Sequence, residues 1–131
     1  MTCAIDWLAS FWWGESTTGK NKAAYTGFVG EYFRPIGRYD PDSLYDSLRN
    51  GLVHMFTIKG RKYALTHNSP ILHLIQTGDG QIVLNAGDFR DDLVAAKDRY
   101  FSEVETKPDL LKKLVERYRR DGFLDSGPLA P

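Results

Sequence analysis

The sequence predicts an α+β fold, a mainly helical bundle of four to five helices with an inserted antiparallel β-meander or hairpin. Three observations lead there. Apolar residues recur at helical spacing through both ends of the chain. Between Phe56 and Leu84 the period changes to short β-rich runs. Turn-forming residues separate those runs and mark most of the helix ends.

A first helix is expected over 2–13, where Ala4, Ile5, Trp7, Leu8, Phe11 and Trp12 fall at helical spacings. Gly14 and the polar stretch Glu15 to Asn21 read as its stop and a loop. A second helix over 22–33 carries Tyr25, Phe28, Val29, Tyr32 and Phe33 on one stripe. Gly27 and Gly30 weaken its propensity but permit close helix contact, and Pro35 and Gly37 end it. Asp40-Pro41 is the sharpest start signal, a capping carboxylate before a proline whose missing N–H costs nothing at the first helical position. The third helix runs from there to about Met55 and buries Leu44, Leu48, Leu52 and Tyr45.

Phe56 to Ile58, Tyr63 to Leu65, Ile71 to Ile75 and Gln81 to Leu84 are the β-rich runs. Lys59-Gly60-Arg61, His67-Asn68-Ser69-Pro70 and Thr77-Gly78-Asp79-Gly80 separate them as hairpin-type turns. Asp88 reads as the cap of a fourth helix reaching about Glu105, with Phe89, Leu93, Ala96, Lys97, Tyr100 and Val104 on one face. Pro108 opens a fifth, striped by Leu110, Leu111, Leu114, Val115 and Tyr118. Residues 1–131 form a single domain on this reading, with 122–131 a frayed tail.

The chain of 131 residues is long enough to bury a core without covalent staples. One cysteine, Cys3, excludes an intramolecular disulfide framework and agrees with a reducing, cytoplasmic setting. The apolar segment Ala4 to Trp13 is too short to span a bilayer, and no basic residue precedes it as in a signal peptide. No membrane association is expected. Seventeen basic residues balance seventeen acidic ones, which excludes an indiscriminate polyanion binder. Charge is nevertheless uneven. Arg34 to Lys62 holds six bases against three acids, a local +3, and Lys107 to Arg120 six against two, a local +4. Asp79 to Glu105 holds seven acids against three bases, a local −4. This pattern reads either as a basic face for nucleic acid or as complementary charging between neighbouring helices.

The stretch with most chemistry is Arg49-Asn50-Gly51-Leu52-Val53-His54, on the last turns of the third helix. Asp46, Asn50 and His54 are four apart and share a row. Arg49 lies about 100° round from Asn50, with a side chain long enough to reach toward His54. The 2′-hydroxyl of RNA is an internal nucleophile, so cleavage needs no metal if one group moves a proton. His54 can make that transfer near neutral pH. Arg49 can grip the phosphate bidentately and offset charge developing in the transition state. Asn50 can orient either partner. The other reading is a helix end, where a histidine in the last turn is favoured by the dipole by about 0.3–1 kcal/mol. In that case Arg49 and His54 bond helix termini or brace a dimer contact.

The hexapeptide resembles the signature of the HEPN superfamily (higher eukaryote and prokaryote nucleotide-binding domain): Arg, four to six residues often beginning with Asn, Asp or His, then His. The wider string, Tyr45-x-x-x-Arg49-x-Gly51-Leu52-x-His54 with a hairpin expected after it, is similar to small HEPN-like proteins. The resemblance implies a helical bundle and a metal-independent endoribonuclease that leaves a 2′,3′-cyclic phosphate. It implies catalytic Arg49 and His54 with Asn50 supporting, and a cleft shared by two protomers of a homodimer. RNA is then the substrate, and an antitoxin-like protein is the partner that a self-toxic nuclease would call for. No cofactor and no metal are implied. The alternative from another class is a non-catalytic HEPN-like module for dimerisation or for binding a nucleotide or protein.

Other candidates are weaker. His67 and His73 with His54 suggest a metal set, but no Asp, Glu or Cys spacing completes one. Trp7, Trp12 and Trp13 can stack bases, yet aromatics at helical spacing are usually core. Asp91-Asp92 suits the first helical turn, where acids favour the dipole. Lys112, Lys113, Arg117, Arg119 and Arg120 read as a phosphate track or as a solvated helix face. Cys3 has no activating partner in sequence.

Overall fold

A computed structural model describes residues 1–54, 62–67 and 72–121, the side chains of Val53 and His54 excepted. The expected strand at Phe56–Ile58 and the expected tail 122–131 lie outside the described residues. The fold is α+β and mainly helical with a small two-stranded sheet. Helix α1 spans Thr2–Trp13 and α2 spans Asn21–Tyr32, within a residue of expectation. One helical run then holds α3 (Pro41–Ser43), a π-helical segment Leu44–Arg49 and α4 (Asn50–His54). Strands β1 (Tyr63–Thr66) and β2 (Ile82–Asn85) precede α5 (Ala86–Thr106) and α6 (Pro108–Arg120). Among the described residues no helix is long and apolar enough to cross a membrane.

The helices form where apolar spacing is strongest. Tyr25, Phe28, Val29 and Tyr32 of α2 and Phe89, Leu93, Ala96, Tyr100 and Val104 of α5 are buried at steps of three and four. They meet Ile5, Leu8 and Phe11 of α1 in one core. Each fully buried side chain of this size stabilises the fold by roughly 1.5–3 kcal/mol. Helix α1 packs on α2 and α6, and α5 on α2 and α6. Helix α6 buries no residue completely; Leu110, Leu114 and Tyr118 are half-buried against the core. Trp12 lies across the bare backbone of Gly27, where a Cβ would meet its ring at 2.7 Å, whereas Gly30 faces no neighbour within 4 Å.

Three expectations are corrected. The sheet is not an all-antiparallel meander: β1 pairs β2 in parallel, with Tyr63 opposite Ile82 and Thr66 opposite Asn85. The turn 77–80 does fold back an antiparallel arm, with Leu74 N–H on Val83 O at 2.7 Å, Val83 N–H on Ile75 O at 2.8 Å and a Gln76–Ile82 bridge. The three segments alternate in direction, but the last of them, β2, lies in the middle. The two earlier segments therefore flank it, and the one that shares its direction is β1. The expected strand Ile71–Ile75 is a turn over its described residues 72–75, with Leu74 at a φ of 61°. The cap of α5 is also different. Asn85, not Asp88, accepts the N–H groups of Gly87 and Asp88 at 2.9 and 3.2 Å, so the helix starts directly from the strand. At the third helix the expected cap holds: Asp40 accepts the Ser43 N–H at 3.2 Å.

Candidate functional site

The π-helical segment ends on Arg49, and the Asn50 N–H bonds to Tyr45 O five residues back rather than four. Segments of this kind are rare and concentrate at functional sites. The wider turn does not keep Asp46 with Asn50: Asp46 reaches across to Lys22 of α2 at 2.7 Å, while Asn50 takes Arg49.

Arg49 is turned toward α1. Its Nε–H donates to Asp6 Oδ2 at 2.8 Å and Nη1 donates to Asn50 Oδ1 at 3.0 Å. Its guanidinium carbon stands 5.2 Å from the centre of the Tyr45 ring, which meets Tyr25 edge-on at 5.3 Å. Only 15% of the Arg49 side chain and 25% of that of Asp6 are exposed, so the pair is partly shielded from water. Burial pushes the Tyr25 phenol far above its ordinary range, so it stays neutral.

Asp6 and Arg49 line a cleft of about 240 Å³ together with Ser10, Thr17, Asn21 and Arg117. Arg117 enters from α6, donating Nε–H to Asp121 Oδ2 at 2.8 Å and Nη1 to Glu15 O at 3.0 Å. Arg120 reaches Gly14 O beside it at 3.3 Å. The basic residues of α6 are thus partly spent on clasping the end of α1. Two guanidinium groups from distant segments converge on one polar hollow. Guanidinium groups suit anions by charge and planar geometry, and here both also bond the protein, Arg49 to Asp6 and Asn50 and Arg117 to Asp121 and Glu15.

Of the sequence-predicted residues, Arg49 and Asn50 are brought together. His54 closes α4 on the same helical run, and its side chain lies outside the described residues. Asp6 was missed, and Arg117 was read only with its neighbours as a phosphate track or solvated helix face, since nothing local in sequence links residues so far apart. The histidines do not gather: His67 is exposed at the end of β1, and His73 is partly buried as a residue with its side chain 3% exposed. Among the described residues no group of three or more His, Cys, Asp or Glu side chains can hold a metal ion. Asp91 pairs with neighbouring Arg90, and Cys3 is an exposed free thiol. Trp7 is exposed, while Trp12 and Trp13 border a groove of about 600 Å³ with Lys112 and Lys113.

A second polar group was also missed. Tyr39 donates its hydroxyl proton to Asp92 Oδ2 at 2.5 Å and lies 2.8 Å from His73 Nε2. Arg38 Nη1 bonds Asp92 Oδ1 at 3.2 Å, and the Asn85 N–H points at His73 Nδ1 at 3.2 Å. Its sequence signal was Leu72-His73-Leu74, a polar ring in apolar company that needs partners when buried. Burial pushes the imidazole below its ordinary value, reinforced by Arg38 and opposed by Asp88 and Asp92.

Comparisons with family models, with curated proteins and with solved structures found no match.

Proposed function

We propose that this chain is a non-catalytic HEPN-like binding module whose cleft takes a nucleotide or a similar phosphate-bearing small molecule. The observation that carries the reading is the Arg49–Asp6 pair standing open to the same cleft as Arg117. Asp6 offsets the charge of Arg49 and orients its guanidinium, which suits ground-state binding better than stabilising the dianionic centre of a phosphorane. The described cleft-lining side chains include no histidine, the residue type best suited to the proton transfer that RNA cleavage requires. The cleft is also small, below the roughly 300–1,000 Å³ usual for drug-sized ligands, which favours a phosphate group over a folded RNA.

A second reading keeps the metal-independent endoribonuclease, with Arg49, Asn50 and His54 acting across a homodimer interface. It is favoured by the π-helical turn that ends on Arg49 and by the Arg49–Asn50 hydrogen bond. An antitoxin-like partner belongs to that reading alone.

One experiment separates them. Calorimetric titration with adenosine monophosphate and with inorganic phosphate is expected to show saturable binding. Arg117→Gln is expected to weaken it by about tenfold or more, or 1.4 kcal/mol. In parallel, RNA is incubated in chelator with the wild-type protein and with His54→Ala, and neither is expected to cleave it. Absence of binding to wild type would end the cleft reading. Chelator-resistant cleavage lost in His54→Ala would install the nuclease.

A further inference from the structure

The hydrogen bonds around His73 all run one way. The single hydroxyl proton of Tyr39 goes to Asp92, so the Tyr39 oxygen receives its second bond from His73 Nε2–H. Nδ1 is then the bare nitrogen, and it accepts the Asn85 N–H. Donation passes from Asn85 to His73 to Tyr39 to Asp92, which Arg38 meets from the other side. The arrangement accommodates only the neutral Nε2–H tautomer. A proton added at Nδ1 would face the Asn85 N–H head to head, and that bond would be lost.

Asn85 is a sensitive place for such a loss. It is the last residue of β2 and the cap of α5, and its neighbours Leu84 and Ala86 line an apolar pocket of about 100 Å³. Leu48 and Leu52 of the motif-bearing run line the same pocket. Leu74, next to His73, is held at a φ of 61°, a left-handed conformation that costs a branched residue free energy and persists only where its surroundings enforce it.

We propose that His73 is an acid-sensitive latch: its neutral ring clamps the β2–α5 junction to the 33–40 loop, and protonation releases that junction from the motif helix. The charged and titratable groups facing the ring are Tyr39 and Arg38 from the loop, and Asp88 and Asp92 from α5. The two aspartates favour the imidazolium, while burial and Arg38 oppose it and prevail. The ring is 3% exposed, so it acts as a switch within the fold and not as a group that meets substrate. This inference is independent of what the cleft binds.

The test is a pH titration by NMR of the whole chain. The His73 ring protons are expected to titrate below the ordinary 6.5, and protection of the Asn85 amide against exchange is expected to fall with the same midpoint. The amide of Phe28, in the α2 core, is expected to hold its protection throughout. His73→Gln, which keeps a donor and an acceptor but does not titrate, is expected to remove the pH dependence at Asn85. Tyr39→Phe, which removes one link and leaves the ring, is expected to shift the midpoint. Asn85 protection independent of His73 charge, or an unchanged pH dependence in His73→Gln, would overturn the proposal.

Discussion

Asp6 on α1 and Arg49 at the end of the π-helical segment meet at 2.8 Å, forty-three residues apart in the chain. This pair fixes the orientation of the motif cation and ties the third helical run to the first helix. Asp6→Asn keeps the shape and removes the charge. It is expected to lower stability by about 1.5–3 kcal/mol, the range for hydrogen bonds to charged groups, measured as a lower urea midpoint with an unchanged slope. The same variant removes the only carboxylate among the described cleft-lining side chains, so phosphate affinity is expected to rise. Weaker phosphate binding in a folded Asp6→Asn would contradict the cleft reading.

The two glycines of α2 should respond with opposite signs. At Gly27 a Cβ would stand 2.7 Å from the rigid Trp12 ring, so Gly27→Ala is expected to cost about 1–3 kcal/mol. Gly30 has no neighbour within 4 Å, so Gly30→Ala is expected to stabilise by about 0.4–1 kcal/mol through helix propensity and a less flexible unfolded chain. Thermal unfolding of both variants checks the sign.

Tyr39→Phe deletes the hydroxyl joining His73 to Asp92 and leaves a buried ring N–H without its acceptor. The expected loss is about 1–3 kcal/mol. In wild type, the lowered value of His73 gives a stability contribution that is whole above the ordinary 6.5 and declines as pH falls toward the folded value. Denaturant unfolding in mildly acidic buffer is therefore expected to show lower stability than at neutral pH. His73→Gln is expected to remove part of that decline.

Asp40 gives a second, more acidic window. The Ser43 N–H, then Lys62, hold its carboxyl below the ordinary 3.8. Its contribution is whole above that value and is lost as pH falls through the depressed one. Asp40→Ala is expected to cost about 0.5–2 kcal/mol near neutrality. The gap from wild type should close in strongly acidic buffer. A gap that persists there would show that the residue acts by shape rather than charge.

Much of the helical framework was legible because burial imposes its period on the sequence. The stripes of α2 and α5 are core in the structure at nearly every expected position, and Asp40-Pro41 starts the third helix where cap chemistry requires. Lys97 was the exception on α5: it is exposed and pairs with Asp98. Less of the site was legible. Arg49 and Asn50 are neighbours in sequence and in space, but Asp6 and Arg117 reach the cleft from helices at opposite ends of the chain.

The sequence by itself determined the main helices, the Asp40 cap of the third and the adjacency of Arg49 to Asn50, because those depend on interactions within a few residues. Only the tertiary structure decided which strand lies in the middle of the sheet, which acid pairs with Arg49, and which groups surround His73. Sheet order follows from the most favourable burial of the whole sheet, to which turn residues contribute only a direction. Ion pairing follows from which side chains the packed helices bring within hydrogen-bond reach, a distance that no local pattern encodes.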